Sequence, residues 1–507
     1  MRQVSVRRIA PWLGAALAIA ALLVVPLALA RPGGGSSYSG GGRSSGGGHG
    51  GGGGGGGGGE LVVYMLFWLL SEHPLVGIPL LVVALVLAVR HRKVDTERRP
   101  WSSTEEAPVY VAPVSRNVRR EIGELRRSDD NFSFVLFEDF LYALYAEIHT
   151  ARGRGLLARY SAFLSPEVAA SMQGPPGGNL SEVRDIVIGS MTFVDARGTR
   201  GTAPVAAVRV RYQSNYTEVE RGGSEKSYYA EEEWTLSRLR GAKSRAPDKT
   251  RIFACPACGA PLDAITAGKC AHCGNLVSNG AFDWVVRGAT LLERVPRGPL
   301  LTADTPEAGN DEPTLVDPDA SGLLRELLLG DPSLTWEAIT ARIGLIFEEF
   351  QLAWSARDLS RMRPFLSDRL FEAQRFWIDA YARQRLRNVT ENARILEVEL
   401  ARVVRDRFFD ALTVRMWATG LDYTIADDTK KVVSGSRSRE RRYSEYWTIV
   451  RSATRKGGAR AERVCPNCGA PLAINMAGVC TYCQVKVTAG DFDWVLSRIE
   501  QDEVYAG

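Results

Sequence analysis

The phrase CPACGAPL occupies Cys255–Leu262, and CPNCGAPL occupies Cys465–Leu472. All eight cysteines of the 507-residue chain belong to these two phrases or to a partner hook downstream of each. The first set is Cys255, Cys258, Cys270 and Cys273; the second is Cys465, Cys468, Cys480 and Cys483. Both read C-x2-C-x11-C-x2-C, and matching cysteines are 210 residues apart. Two facing C-x2-C hooks supply four thiolates, the number a tetrahedral Zn²⁺ takes. Pro256 and Pro466 pre-set each turn, and Gly259 and Gly469 follow where a positive φ costs glycine little. The return hook is less regular, with Gly274 after Cys273 but Gln484 after Cys483. Disulfides and a redox C-x-x-C are the competing readings. A thioredoxin-like site needs one C-x-x-C beside a βαβ pattern rather than two facing pairs. Four thiolates leave no open position for water, so the expected pair of zinc ions is structural. His272 lies inside the first return hook, but Tyr482 stands there in the second, so it reads as a solvent-facing spacer. Free thiolates call for a reducing compartment.

Duplicated hooks imply a duplicated unit upstream. Phe134, Phe137, Leu141, Leu144 and Ile148 step by three and four before the first set, as do Ile339, Ile343, Ile346, Phe350 and Ala353 before the second. Both patterns predict amphipathic helices. Each runs into an FLS phrase, Phe163-Leu164-Ser165 and Phe365-Leu366-Ser367, and then into period-two alternation. Val208, Val210 and Tyr212 alternate with arginines; Leu412, Val414 and Met416 alternate with Thr413, Arg415 and Trp417. These predict strands with one buried face. EEEWTLSR and SEYWTIVR place Trp234 and Trp447 on corresponding strands, and FDWVV and FDWVLS come after each ribbon as a return to the sheet. The expected class is α+β, with helices on one face of a curved antiparallel sheet, used twice.

In the second copy, FQLAWSARDLSRMRPFLSDRLFEAQ, RNVTENARILEVELARVVRD and YSEYWTIVRS resemble the Tim44-like domain. The phrase around Trp354, Arg357, Asp358 and Phe365-Leu366, with Tyr446-Trp447, carries the resemblance over roughly residues 335 to 453. That domain is found in the membrane tether of the mitochondrial import motor, in a mitochondrial large-subunit ribosomal protein and in bacterial relatives. The resemblance implies a cone-shaped fold like that of nuclear transport factor two. The first copy has FLSPEV for FLSDRL and EEEW for SEYW, with no counterpart of Arg357-Asp358, and is assigned by internal repetition. Expected boundaries are 129–250 for the first unit, 251–290 for its ribbon and return strand, 295–332 for a linker, 333–455 for the second unit and 463–500 for its ribbon and return strand.

The N-terminus reads as membrane-directed. Arg2, Arg7 and Arg8 precede an apolar run from Ala15 to Ala30, a signal peptide or a first transmembrane helix over 1–30. A glycine-dominated tract over 31–60 cannot bury a core and reads as a linker. A second apolar block over 61–90 is interrupted at Glu72, His73 and Pro74; Leu75 to Val89 alone is shorter than the ~20 residues a span needs. The span therefore extends back through the interruption, or Leu61 to Leu70 lies in the interface. Arg90 to Lys93 (RHRK) comes at once after it, which keeps the rest of the chain on the cytoplasmic side of the membrane, beyond a juxtamembrane linker over 91–128. Arg119-Arg120 and Arg126-Arg127 there are candidates for anionic lipid.

The chain carries +5 overall, but the first hundred residues hold ten Lys/Arg against four Asp/Glu, leaving −1 for the remainder. That balance speaks against nucleic acid as a partner. None of the five histidines is repeated between copies, every cysteine belongs to a hook, and the glycine tract lacks the spacing of a phosphate loop. Asp422 and Tyr423 are the candidates for a catalytic pair inside a cone. The expectation is a non-catalytic scaffold or tether that binds protein, peptide or lipid at the membrane. The alternatives are a ribosome- or RNA-contacting membrane protein and a cavity enzyme or small-ligand binder.

Overall fold

The computed structural model describes residues 118–173, 178–299, 301, 309–459, 462–502 and 504–507. The expected signal or first membrane segment, glycine tract, second membrane segment and most of the juxtamembrane stretch lie outside the described residues. Among the described residues no helix is long and apolar enough to cross a membrane.

The architecture is α+β, with two four-stranded antiparallel sheets. The first part runs α1 (Val118–Gly123), α2 (Phe134–Arg154), α3 (Pro166–Gln173), β1 (Leu180–Arg197), β2 (Val205–Glu220) and β3 (Glu225–Leu239). A small ladder of β4 (Ile265–Thr266) and β5 (Lys269–Cys270) precedes β6 (Val285–Val295). The second part runs α4 (Ala320–Gly330), α5 (Trp336–Ala356), α6 (Leu359–Met362) and α7 (Asp368–Arg383), then β7 (Leu386–Arg405), β8 (Phe409–Ala426), β9 (Val432–Ser452) and β10 (Val495–Gln501). The sheet orders are β1-β2-β3-β6 and β7-β8-β9-β10. Each cysteine-bearing segment is thus an excursion between the third and fourth strands of its sheet.

Local chemistry sets matching helix ends. Ser133 caps α2 by accepting from Leu136 N–H, and Thr335 caps α5 by accepting from Ala338 N–H. Both helices have 21 residues and end on a left-handed residue, Gly155 at φ 71° and Arg357 at φ 56°. Arg357 is therefore the counterpart of a glycine, which is why the first copy shows no Arg-Asp pair. Its guanidinium bonds Leu386 C=O and Asp427, while Asp358 caps α6 through Arg361 N–H. The FLS serines accept from Val168 and Leu370 N–H at the starts of α3 and α7. Their own N–H groups donate to Val286 and Leu496 on the fourth strands. The repeated phrase is a clamp between a helix start and the strand that returns from the ribbon.

All ten apolar helix positions singled out above are buried. In β2 the expected alternation holds, with Val208, Val210 and Tyr212 inside. In β8 it does not: Thr413, Arg415 and Trp417 are buried as well. Residues 309–316 and the C-terminal segment cover that second face. Arg415 donates to the carbonyls of Gly309 and Glu312 and pairs with Asp502, and Trp417 donates to Asn310 C=O. The return strands begin at Val285 and Val495, just after the tryptophans expected to open them. The expected linker 295–332 is corrected too, since α4 forms within it and buries Ala320 and Leu327. The first strand of each sheet, β1 and β7, carries a bulge with a left-handed residue, Asp185 (φ 53°) and Asn392 (φ 55°).

The two parts are docked by charge. Arg498 of β10 pairs with Glu138 of α2 and, at 3.2 Å, with Glu500; Glu500 meets Arg119 of α1 at 2.5 Å. Burial pushes the Glu500 carboxyl up, but Arg119 and Arg498 together hold it below the usual range. Arg120 meets Asp319 at 2.6 Å, and Arg126 donates to Arg405 C=O. Of the arginines expected to meet lipid, Arg119 is buried against the second part of the chain, while Arg120 and Arg126 contact that part and stay exposed. Arg127, the fourth of the set, is 79% exposed and pairs with Glu124. Breaking a buried ion pair from one side typically costs about 3–5 kcal/mol. Glu500→Gln should lower the unfolding free energy by about that amount, measured by urea denaturation.

Candidate metal centres

Each cysteine tetrad is built from two tight turns. Gly259 N–H donates to Cys255 C=O at 2.8 Å and Cys255 N–H to Ala260 C=O at 2.7 Å; the second copy repeats this at Gly469, Cys465 and Ala470. The return turns place Gly274 (φ 74°) and Gln484 (φ 59°) after their cysteines. Gln484 thus adopts the glycine conformation at a cost of roughly 1–2 kcal/mol for an L-residue. The irregular residue of the second hook is a substitution within one geometry.

The turns bring four sulfurs together in each copy, all within 4.8 Å of one another. Cys255–Cys273, Cys258–Cys270 and Cys465–Cys483 are each separated by 3.9 Å between Sγ atoms. Disulfides would bring sulfurs to about 2.05 Å. A tetrahedron with bonds of about 2.3 Å to a central ion has edges of about 3.8 Å. The tetrads therefore fit a four-coordinate, thiolate-loving cation. The Asn275 backbone N–H pulls the Cys273 thiol down to about 7. The Asn467 side-chain amide, 3.4 Å from Cys483, leads the pull on that thiol to about 6. His272 and Tyr482 are exposed and belong to neither tetrad.

Both ribbons lean on the helical layer. Phe253 packs edge-on to Phe163 at 5.4 Å, and Gly268 N–H donates to Ser161 Oγ. In the second copy Arg363 donates to Met476 C=O at 2.8 Å, and Lys486 pairs with Asp368 at 2.5 Å. The exits are held by a repeated device that the sequence reading did not identify. Asp283 accepts from Trp284 N–H and Asp493 from Trp494 N–H, each at 2.8 Å. Arg238 lies over the Trp284 ring at 5.0 Å and pairs with Asp129 at 2.9 Å. Arg451 lies over Trp494 at 4.8 Å and pairs with Asp331 at 3.2 Å. The signal was present, because WTLSR and WTIVR both close on this arginine.

Among the described residues, a buried set of acid and base groups converges in the first part. In the first part, Glu232 accepts from Tyr145 Oη at 2.8 Å and Trp234 Nε1 at 3.0 Å, and lies 3.2 Å from His149 Nε2. His149 and Glu232 are wholly buried. The second part keeps the carboxylate, with Glu445 on Trp447 Nε1 at 2.9 Å, but has Phe347 and Gln351 where Tyr145 and His149 stand. Asp422 accepts from Asn388 and pairs with Arg441, and Tyr423 donates to Glu391.

Residues 320–460 match the family model of the Tim44-like domain. The match runs from α4 through β9 and ends before the second tetrad. No curated protein matches the chain.

This geometry has two measurable outcomes. Cys465→Ser should release the start of β10, and with it Arg498 and Glu500. Hydrogen exchange should then rise in β9 and β10 and along the α1–α2 face that they contact, while β2 stays protected. Burial also lowers the His149 pKa below its usual 6.5. The unfolded chain takes up that proton first. The resulting stability is complete above about pH 6.5 and is lost as pH falls through the folded value. Thermal melts between pH 7.5 and 5 should show a fall that His149→Gln, the residue type of the second copy, reduces.

Proposed function

We propose, taking the Tim44-like domain at residues 320–460 as premise, that this chain is a non-catalytic, membrane-anchored scaffold or tether. The observation that carries the reading is this domain set beside a second helix–sheet–ribbon assembly with the same strand order and the same clamps. In this reading the first part is a diverged copy of the second, and each is a cone-shaped unit like nuclear transport factor two. Their interiors support binding from outside rather than chemistry within. Trp234 and Trp447 fill the two cores, and the acid–base cluster at His149 and Glu232 is closed off from solvent.

The cation of each tetrad is Zn²⁺ on this proposal. Four thiolates suit it, and they close the coordination shell to water. Its role is to hold the excursion shut so that the fourth strand can seat. The apolar segments before residue 93 anchor the chain, RHRK keeps the remainder on the cytoplasmic face, and the reducing cytoplasm keeps the thiols free. The partners are the membrane and a protein held close to it.

Elemental analysis of the reduced chain should give two zinc ions per molecule; one or none would remove the assignment from at least one ribbon. For topology, a reporter fused after Gly507 should be active only as a cytoplasmic reporter. Alkaline phosphatase activity from the same fusion would reverse the orientation. Cross-linking from the α4–β9 surface in membranes should trap a protein neighbour if the chain is a tether.

A further inference from the structure

Where the two parts of the chain meet, α7 runs past the outer edge of the first sheet and encloses a cleft of about 420 Å³. One wall is the β1 segment Asp185–Gly189; the other is the face of α7 from Arg369 to Arg383. β1 ends its sheet and pairs only with β2. Its second edge is therefore a row of backbone donors and acceptors turned away from β2. The left-handed bulge at Asp185 lies in this segment, between the register positions Arg184 and Val187. Unpaired strand edges inside a cleft, with a helix alongside, suit capture of an extended peptide by strand addition.

Two further observations point to the same kind of ligand. Gln374 of α7 lines the cleft and is 1% exposed, yet its Oε1 has no hydrogen-bond partner among the described residues. A buried amide oxygen without a donor is costly, and a peptide N–H would satisfy it. The charges lining the cleft are also unevenly matched. Arg369 meets Asp139 at 3.4 Å, and Arg375 lies 3.8 Å from Glu372 and from Asp379. Arg251 and Arg383 have no carboxylate within ion-pair distance among the described residues. Arg251 lies in the loop ahead of the first ribbon, where it acts on Asp139. Asp139 also meets Arg369, so Arg251 belongs to the N-terminal end of α7. Arg383 closes the other end, about 20 Å along the helix at 1.5 Å per residue. About six extended residues at about 3.3 Å each cover that length.

We infer that this cleft binds an extended peptide segment of about six residues with acidic side chains near its two ends, added as a strand to β1 and read by Arg251, Gln374 and Arg383. The inference rests on the scaffold reading and deepens it by naming the class of partner and the place it docks. Its test reads the cleft directly, so that a failure here is distinct from a failure of membrane anchoring or cross-linking.

The full-length chain would be titrated into a fluorescein-labelled Asp-Val-Thr-Val-Thr-Glu hexapeptide and followed by fluorescence anisotropy. Saturable micromolar binding is expected, weakening as salt is raised. The same peptide N-methylated at alternate backbone positions should bind at least about tenfold more weakly, because strand addition needs those N–H groups. Arg251→Glu combined with Arg383→Glu should also weaken binding at least about tenfold. Both arginines are exposed, so the near-UV circular dichroism of the variant should match that of the parent. Absence of saturable binding overturns the inference, as does binding indifferent to N-methylation. Binding of AMP or of phosphatidylglycerol vesicles that the double substitution abolishes, with no peptide binding, would make the cleft another kind of anion site and likewise overturn it.

Discussion

The seating of one strand governs each half of this molecule. β6 and β10 complete their sheets only after the chain has left, built a ribbon and come back. What fixes the return is a tryptophan held from two sides. An aspartate one residue earlier takes its N–H, and an arginine from the neighbouring strand lies on its ring. The arginine is in turn tied to an aspartate just ahead of the long helix. Cation–ring contact is worth about 2 kcal/mol or more once desolvated, and the paired charge is too costly to leave alone in the interior. The device joins the entry to the helical layer, the third strand and the ribbon exit in one contact set. Its two occurrences make the halves comparable even where their sequences differ.

That same strand reaches beyond its own half. In β10, Arg498 and Glu500 point out of the second sheet toward Glu138 and Arg119. A segment expected to serve local folding also carries a buried charge cluster between the halves. The ribbon of the second half thus stands at the root of the seam between the parts.

Much of this was readable in the chain. The cysteine spacing specified both tetrads, because four sulfurs on two short hooks have few other geometries. The apolar periodicity of α2 and α5 located the core faces, since helix spacing and burial are tied directly. Three features were not readable. Arg415 and Trp417 look like solvent-side positions of β8, and only a distant segment, 309–316, turns them inward. α4 sits in a stretch whose prolines, glycines and aspartates resemble a linker; its helix is secured by burying Ala320 and Leu327 against the second core. Arg119 looks like a surface cation by type, and its carboxylate partner, Glu500, lies far along the chain. In each case the deciding contact is long-range, and a local pattern carries no trace of it. The Asp129–Arg238 and Asp331–Arg451 pairs stand between these cases: the arginines recur at matched places in two phrases, but nothing local says what they meet.

Placing each ribbon between the third and fourth strands also has a kinetic side. Ser237 pairs with Val285, so the contact that finishes the first sheet spans the whole excursion. Closing a long loop costs entropy before any pairing repays it, and such contacts form late. A ribbon folded on its own shortens the effective loop to the two segments that flank it, 240–254 and 274–284 in the first half. Until the ribbon closes, β3 and β9 present bare edges, the kind of surface on which chains join one another. Early closure of the ribbon would then let each sheet find its own last strand before it finds a neighbour's.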